Sequence, residues 1–189
     1  WACPAHTPVP EYIRMIAQGR YDDAYLINWK SNVFPGILGR TCDRPCEPAC
    51  RRSRVEEGSI EHRKSSAKPE PVAICRLKRA AADFKGDIRE RLPRPPAQKN
   101  GKRIALVGAG PASLTVARDL APLGYACDVF DRDAKPGGMM RTQIPKFRLP
   151  DSVIDEETGY VLGLGATFRP GVEIGDLDAT FSLQHLEPH

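Results

Sequence analysis

The chain has 189 residues, of which 41% are hydrophobic and 28% are charged, and its formal net charge at pH 7 is +4. This length is sufficient for one large domain or two small ones with packed cores. Because it contains no run of 18 apolar residues and no basic start followed by an apolar stretch, the sequence predicts neither a membrane span nor a secretory signal, and we expect a cytoplasmic protein.

Positive charge is concentrated in the first half of the chain. Residues 1–100 carry 19 basic and 12 acidic side chains, whereas residues 101–189 carry 9 and 12. A group of basic residues between positions 51 and 79 has no interleaved aromatic residues and no nucleic-acid-binding motif, so we expect no nucleic acid partner. We interpret it as a solvated or partner-facing surface. Its members are Arg51, Arg52, Arg54, Arg63, Lys64, Arg76, Lys78 and Arg79.

Short helices separated by turns are predicted for this basic half. Apolar residues recur at intervals of three or four over Pro10–Gly19 and Val72–Phe84, and Asp22 and Asp23 suit the start of a helix over Tyr21–Trp29, which together predict three helices. The prolines and glycines between Phe34 and Cys50 predict turns instead. Residues 53–70 are polar, and we expect them to be mobile.

Three cysteines follow one another at equal spacing. Cys42, Cys46 and Cys50 are each separated by three residues, and prolines 45 and 48 favour a wrapping loop over a helix. Such a loop can surround an inorganic cluster with thiolates and amide donors. Structural zinc more often uses two matching cysteine pairs, and a disulfide is not expected in a cytoplasmic chain. The spacing therefore favours an iron-sulfur cluster, with zinc and unligated thiols as alternatives.

A proline-rich connector divides the sequence. Residues 93–101 contain Pro93, Pro95 and Pro96 and end at Gly101, which predicts a linker. We therefore predict a helical domain over residues 1–92 and a nucleotide-binding domain over residues 102–189.

The second domain begins with a strand, a glycine turn and a helix. An apolar strand ends at Gly108, the turn 108–110 lets backbone amides approach a pyrophosphate, and the helix that opens near Pro111 directs its positive end at the phosphates. Asp131 ends a second strand, where its carboxylate can accept hydrogen bonds from an adenosine ribose. Ser113 replaces the third glycine of this fingerprint.

The type of dinucleotide is a separate question, because flavin and nicotinamide cofactors share an ADP half. Asp131 would repel a ribose phosphate, which leaves FAD and NADH as candidates. Gly137 and Gly138 would let a long cofactor pass close to the backbone, although a loop without a ligand could carry them too. The rest of this half is predicted to begin with a helix over Ser152–Leu164. It continues over Ala166–Ile174 with a short strand and a turn, or with a strand pair. Cys127, in the second strand, is interpreted as a small buried apolar residue.

Four motifs, in this order, resemble the small subunit of glutamate synthase and the matching N-terminal region of dihydropyrimidine dehydrogenase. They are CPAHTPVPEYI from Cys3, GRTC with PCE and a last cysteine over residues 39–50, GAGPAS from Gly108, and GG through IPKFRLP over residues 137–150. The resemblance covers nearly the whole chain. It implies an α + α/β fold, in which a helical iron-sulfur domain precedes a partial Rossmann-like FAD-binding unit with a parallel sheet.

The resemblance also implies site residues. Cys3, Cys42 and Cys46 match three ligands of one four-iron cluster, whose fourth ligand in relatives is a glutamine or glutamate near the helix that here contains Cys75. No such residue stands there, so Cys75 is a candidate fourth ligand, or else a half-buried helix cysteine. Cys50 matches a ligand of a second cluster; either that cluster is lost or Cys50 joins a rearranged single site. The implied flavin contacts are Gly108, Ala109, Gly110, Pro111, Ala112, Asp131, Arg132, Gly137, Gly138, Met139, Arg148 and Ile174.

The function implied by the resemblance is electron transfer. We expect a module of an NAD(P)H-dependent flavin and iron-sulfur oxidoreductase with FAD and a 4Fe-4S cluster as cofactors, NAD(P)H on a missing or partner domain, and other subunits of a redox complex as partners. We expect the chain to be a fragment or a truncated product. Two alternatives stay open: a non-enzymatic scaffold or assembly subunit that retains the fold, and an NADH-binding module with a zinc site.

Overall fold

A computed structural model of the chain describes residues 2–55 and 70–174. The chain divides into two compact units, residues 1–86 and residues 87–189. The bounds predicted from the linker at residues 93–101 stay a prediction. Most of the stretch that was expected to be mobile, residues 53–70, lies outside the described residues. Among the helices that the structure describes, none combines the length and the apolar character required to cross a membrane.

The first unit is helical, as predicted. Buried Tyr12, Ala24, Ile74 and Ala81 form the centre of its core, and each comes from one of the three predicted helices. The sequence therefore identified the helices that build this core. Its described helices are α1 (Val9–Ala17), α2 (Tyr21–Ser31), α3 (Pro35–Thr41), α4 (Arg52–Val55) and α5 (Ile74–Phe84).

Helix α3 corrects the turn predicted between Phe34 and Cys50. Pro35 is the first residue of this helix, where its missing N–H removes no hydrogen bond. Gly39 allows a close approach to α5, since a Cβ atom at this position would lie 2.7 Å from the Cα of Arg79. Proline and glycine here start a helix and pack it tightly, and the irregular loop begins only after Thr41.

The second unit contains a small parallel sheet in the order β1-β2-β3, which confirms the predicted fold class. Strand β1 ends at the glycine turn, and β2 ends at Asp131. The strands are β1 (Arg103–Val107), β2 (Ala126–Asp131) and β3 (Thr167–Pro170); the helices are α6 (Pro111–Leu120), α7 (Met139–Thr142) and α8 (Asp151–Leu162), with short 3-10 segments at Arg89–Arg91 and Ala121–Leu123.

The middle strand fixes the register of the sheet. Val129 of β2 is paired with Leu106 of β1 and Phe168 of β3, and it is fully buried. Cys127 is 1% exposed, in agreement with its interpretation as a buried apolar residue. Because the strands are parallel, the glycine turn after β1 and Asp131 at the end of β2 lie at the same edge of the sheet, where ligands bind in open α/β folds.

Candidate functional site

The turn after β1 has the backbone shape that a phosphate-binding loop requires. Gly108 has a positive φ of +84°, which favours glycine, and its N–H donates to the carbonyl of Phe130 at 2.7 Å. Gly110 precedes α6, and Pro111 is the first residue of that helix. The first amides of α6 have no acceptor within the helix, so they are directed toward the space in front of the turn.

Gly110 is best explained by the open space beside it. Its φ of −81° suits any residue, and a Cβ atom built on it would meet no protein atom within 4 Å. The fold itself therefore does not require glycine at this position. A side chain here would fill the space in front of the α6 amides, which is where a pyrophosphate would lie.

The structure brings the second glycine segment against the first. The N–H of Gly137 donates to the carbonyl of Ala109 at 2.8 Å. A Cβ atom on Gly138 would lie 3.0 Å from the Cα of Gly110, so the two backbones are in close contact. The sequence could not decide whether this loop lies at the cofactor; the structure places it at the turn.

Asp131 organises the turn through its carboxylate. One of its oxygens accepts the N–H of Ala109 at 2.5 Å, and the other accepts the N–H of Asp133 at 2.8 Å. A carboxylate has about four acceptor positions, so capacity for ribose hydroxyls is left. The carbonyl of Asp131 accepts the N–H of Val172 at 3.0 Å, which brings the chain that leads to Ile174 beside this strand end.

The remaining predicted flavin contacts lie at the surface of the second unit. The side chains of Pro111, Ala112, Arg132, Met139 and Arg148 are exposed, Met139 to 64%. Ser113, at the third fingerprint position, donates its hydroxyl to the carbonyl of Val107 at 3.2 Å. Its hydroxyl is thereby satisfied at the contact between strand and helix, so this departure from the glycine pattern is compatible with the fold.

In the first unit, a network of hydrogen bonds holds the predicted cysteines. The Cys3 thiol donates to Thr7 Oγ1 at 3.5 Å, and Cys42 Sγ accepts the N–H of Arg44 at 3.3 Å. The thiol of Cys75 donates to the carbonyl of Gly39 at 3.4 Å, next to the end of α3. The last of these contacts ties the helix that carries Cys75 to α3, three residues before Cys42.

Neighbouring thiols contribute to the pKa shifts of Cys46 and Cys75. Burial, followed by the neighbouring Cys3 and Cys42 thiols, raises the pKa of Cys46. Burial and then Cys42 raise the pKa of Cys75. Burial acts to raise the pKa of Cys3 as well, but hydrogen bonds with Thr7 and the backbone outweigh it and lower this pKa. The residues Cys3, Cys42, Cys46 and Cys75 are called the four-thiol cluster below.

Cys50 lies after the same loop. Its N–H donates to the carbonyl of Glu47 at 3.0 Å, and its own carbonyl accepts the hydroxyl of Ser53 at 2.9 Å. These bonds fix the backbone and leave the sulfur without an assigned role. Cys50 therefore stays a candidate ligand on its spacing alone.

The four-thiol cluster supplies the type of donor that holds an iron-sulfur cluster. In the described ranges, no three or more His, Cys, Asp or Glu residues are arranged to hold one metal ion. In a four-iron cluster the thiolates bind different iron atoms, so they need not meet at one ion. Tyr12 and Ile74 provide a buried apolar wall nearby, and the Tyr12 hydroxyl donates to the carbonyl of Ile74 at 2.9 Å. The thiol donors and this partly buried setting fit the group.

Sequence reasoning missed two residues of this region. Glu47 accepts the N–H of Cys75 at 2.9 Å through its carboxylate. Lys78 was grouped with the solvated basic surface, but it is only 6% exposed. Its position was the available signal, because it stands four residues after Ile74 and three before Ala81 on the apolar side of α5.

Comparisons with known proteins agree with both units. Residues 1–89 match the family described as dihydropyrimidine dehydrogenase domain II, 4Fe-4S cluster. Residues 106–170 match the family of NAD(P)-binding Rossmann-like domains. The chain as a whole is similar to glutamate synthase small chains and to subunits of other redox enzymes.

Three relatives illustrate the range of these similarities. The chain is 33% identical to the glutamate synthase [NADPH] small chain of Mycobacterium tuberculosis, 34% to the NADP(+)-dependent formate dehydrogenase subunit beta of Moorella thermoacetica, and 31% to the NAD-dependent dihydropyrimidine dehydrogenase subunit PreT of Salmonella typhimurium. Each similarity covers 92% of this chain. The chain spans 33%, 26% and 39% of the length of these relatives, respectively.

Proposed function

We propose that the chain is the flavin and iron-sulfur electron-transfer part of an NAD(P)H-dependent oxidoreductase. The observation that carries this proposal is the pair of hydrogen bonds that joins Cys75 to the carbonyl of Gly39, three residues before Cys42, and to the carboxylate of Glu47, next to Cys46. A dinucleotide-binding turn alone would suit many enzymes, whereas a thiol site for a cluster on the same chain selects electron transfer. When bound, FAD and a 4Fe-4S cluster would supply the exchange between two-electron and one-electron chemistry.

The residues of the second unit would hold the flavin as an FAD. The amides at the start of α6 would bind the pyrophosphate, and Asp131 would accept hydrogen bonds from the ribose. Gly137 and Gly138 hold their loop against the turn, which would let the cofactor pass close to the backbone. Asp131 disfavours the ribose phosphate of NADPH, so we propose that NAD(P)H binds on another domain or a partner chain.

We also propose that the chain works within a multi-subunit redox enzyme. Relatives carry the names small chain and subunit, which supports this proposal. Strand β1 pairs only with β2 among the described strands, and Val107 is 58% exposed. Strands of a parallel sheet are usually covered on both faces, so further polypeptide would cover this one.

The test of the redox proposal is the cofactor content of the anaerobically purified chain. We expect one FAD per chain, iron and sulfide in the amounts of a four-iron cluster, and a broad visible shoulder that a reductant bleaches. A stable, colourless protein without iron or flavin would contradict the proposal and support the scaffold alternative. Zinc without flavin would support the NADH-binding alternative.

A variant pair separates specific flavin binding from general damage. In Gly110→Ala, the new methyl group would occupy the open space before the turn, so we expect FAD affinity to fall at least tenfold while the midpoint of thermal unfolding is kept. Gly159→Ala makes the same change on α8, where a Cβ atom also meets nothing within 4 Å, and should bind FAD like the parent chain. Parent-like flavin content in Gly110→Ala would overturn the proposed cofactor site.

A further inference from the structure

A buried hydroxyl group connects the loop before α1 to the end of α2. Thr7 is 7% exposed, and its Oγ1 atom lies 3.5 Å from the sulfur of Cys3. The same atom lies 3.0 Å from the hydroxyl oxygen of Ser31 and 3.2 Å from the side-chain amide nitrogen of Asn32, which is 6% exposed. Buried polar groups of this kind have their hydrogen-bond partners within the fold, so these four side chains form one network.

The donors around Thr7 limit how the network can be arranged. A side-chain amide nitrogen only donates, so Asn32 occupies one of the two acceptor positions on the Thr7 oxygen. The Ser31 hydroxyl has two acceptors within reach, Thr7 Oγ1 and the carbonyl of Asn28, each at 3.0 Å. This carbonyl also accepts the N–H of Asn32 at 2.8 Å, so it keeps a partner when Ser31 turns away. Ser31 can therefore donate in either direction.

The protonation state of Cys3 selects between the two arrangements. A Cys3 thiol donates to Thr7. The Thr7 proton then goes to Ser31, which donates to the carbonyl of Asn28. A Cys3 thiolate can only accept, so Ser31 donates to Thr7, and the Thr7 hydroxyl donates to the sulfur. Each arrangement gives every hydroxyl proton an acceptor, and the two differ only in the rotation of hydroxyl groups. The fold thus provides a hydrogen-bond donor for Cys3 as a thiolate, the form that binds iron.

We propose that Thr7 is a positioning residue that donates its hydroxyl to the thiolate of Cys3 when this thiolate binds an iron-sulfur cluster, and thereby raises the reduction potential of the cluster. This inference rests on the proposed function, because it requires a bound cluster with Cys3 among its ligands. Hydrogen bonds to the sulfur atoms are among the factors that set the potential of a cluster. A donor stabilises the more negative, reduced cluster more than the oxidised one, so its loss should lower the potential.

The experiment compares variants of the full chain by iron and sulfide content and by a redox titration followed with electron paramagnetic resonance. Thr7→Val removes the hydroxyl and keeps the branched shape of the side chain. We expect its cluster to be about tenfold harder to reduce, which corresponds to a midpoint lower by about 59 mV for one electron. Thr7→Ser keeps the hydroxyl and should retain most of the parent potential.

Thr41→Val is the matched control, since it makes the same change one residue before Cys42. The Thr41 hydroxyl donates to the carbonyl of Ile37 at 2.9 Å within α3, so its loss should leave the parent potential. A parent-like potential in Thr7→Val would overturn the proposal, and so would an equal shift in Thr41→Val.

Cluster content decides the remaining outcomes. If Thr7→Val loses its cluster but keeps the parent circular dichroism, while Thr7→Ser retains the cluster, the hydroxyl is needed at the cluster and the proposal is supported. Loss of the cluster from both Thr7 variants would overturn it, because serine keeps the donor. Parent iron content in Cys3→Ala would also overturn it, because Cys3 would then not be a ligand. A parent chain without iron and sulfide would refute the proposed function itself, whereas the other negative outcomes leave that function standing.

Discussion

The carboxylate of Glu47 accepts the backbone N–H of Cys75 at 2.9 Å, across 28 residues of sequence. Cys75 is the second residue of α5, where amides have no acceptor within the helix, and Ala73 before the helix provides no side-chain cap. The cysteine loop therefore caps α5. This bond joins the loop that carries Cys46 to the helix that carries Cys75, so the positions of the two thiols are coupled.

Replacing Glu47 with alanine should weaken the first unit and its cluster site together. Loss of a helix cap costs about 1–2 kcal/mol of stability. We expect the free energy of unfolding to fall by about this amount, measured with denaturant and the fluorescence of Trp29, which is 6% exposed. Iron content per chain should fall as well, because Cys75 is no longer held beside the loop.

Asp43→Ala is the control for this prediction, since it removes an exposed carboxylate from the same loop. It should leave the unfolding midpoint and the iron content close to those of the parent chain. Equal losses in both variants would show that the loop needs its acidic charge in general and that the bond to Cys75 has no special role.

Local patterns predicted more of the fold than of the thiol site. The spacing of apolar residues identified the helices that contribute Tyr12 and Ile74, and acidic residues at its start identified the helix that contributes Ala24. The turn from Gly108 identified the strand, helix and second strand of the sheet. These features are local, because each depends on residues that are close in the sequence, within one or two helical turns or strands. The contact between Glu47 and Cys75 depends on the folding of α5 against the cysteine loop, which no short pattern encodes.

Proline and glycine misled the prediction for α3 because their effect depends on position. Pro35 stands where a helix can begin, and Gly39 meets the backbone of Arg79. The same residues inside a helix far from any neighbour would have broken it. Only the packing of α3 on α5 distinguishes the two cases, and that packing also places Cys75 beside the carbonyl of Gly39.

Gly138→Ala should disturb the loop that packs on the glycine turn. The φ of Gly138 is +49°, and the new Cβ atom would lie 3.0 Å from the Cα of Gly110. Strain of this kind costs about 1–3 kcal/mol, and we expect lower stability and weaker FAD binding together. Thermal unfolding followed by circular dichroism tests the first effect, and flavin titration tests the second.

Gly159→Ala should raise the stability of the fold, in contrast to Gly138→Ala. Gly159 lies inside α8, and a Cβ atom there meets nothing within 4 Å. Glycine inside a helix is less stable than alanine by about 0.5–1 kcal/mol, so this variant should unfold later than the parent chain. A gain in stability from Gly138→Ala would mean that the close contact with Gly110 is not present.

Asp131→Asn should destabilise the second unit even without a cofactor. The two carboxylate oxygens accept the amides of Ala109 and Asp133, and an asparagine presents only one oxygen. A buried amide left without an acceptor costs about 1–3 kcal/mol. Faster hydrogen exchange of the amides in the turn, measured by mass spectrometry in flavin-free protein, would show this. Asp133→Asn changes an exposed carboxylate two residues away and should exchange like the parent chain.

Acid should loosen α8 from the loop that follows β2. A hydrogen bond from Lys146 lowers the pKa of Asp151. The pKa of Asp155 is lowered as well: partial burial acts to raise it, but hydrogen bonds from Arg141 and Lys135 outweigh this effect. Arg141 also donates to the carbonyl of Pro136, so these ion pairs connect α8 to the segment that carries Gly137.

A carboxylate whose pKa is lower in the folded state stabilises that state above its unfolded pKa of about 3.9, and the contribution is lost as pH falls through the folded value. We therefore expect faster hydrogen exchange in α7 and α8 below about pH 4, and a smaller dependence on pH in the double variant Asp151→Asn and Asp155→Asn. Glu173→Gln, which changes another exposed carboxylate of this unit, should keep the full dependence; an unchanged profile in the double variant would show that other carboxylates control the response to acid.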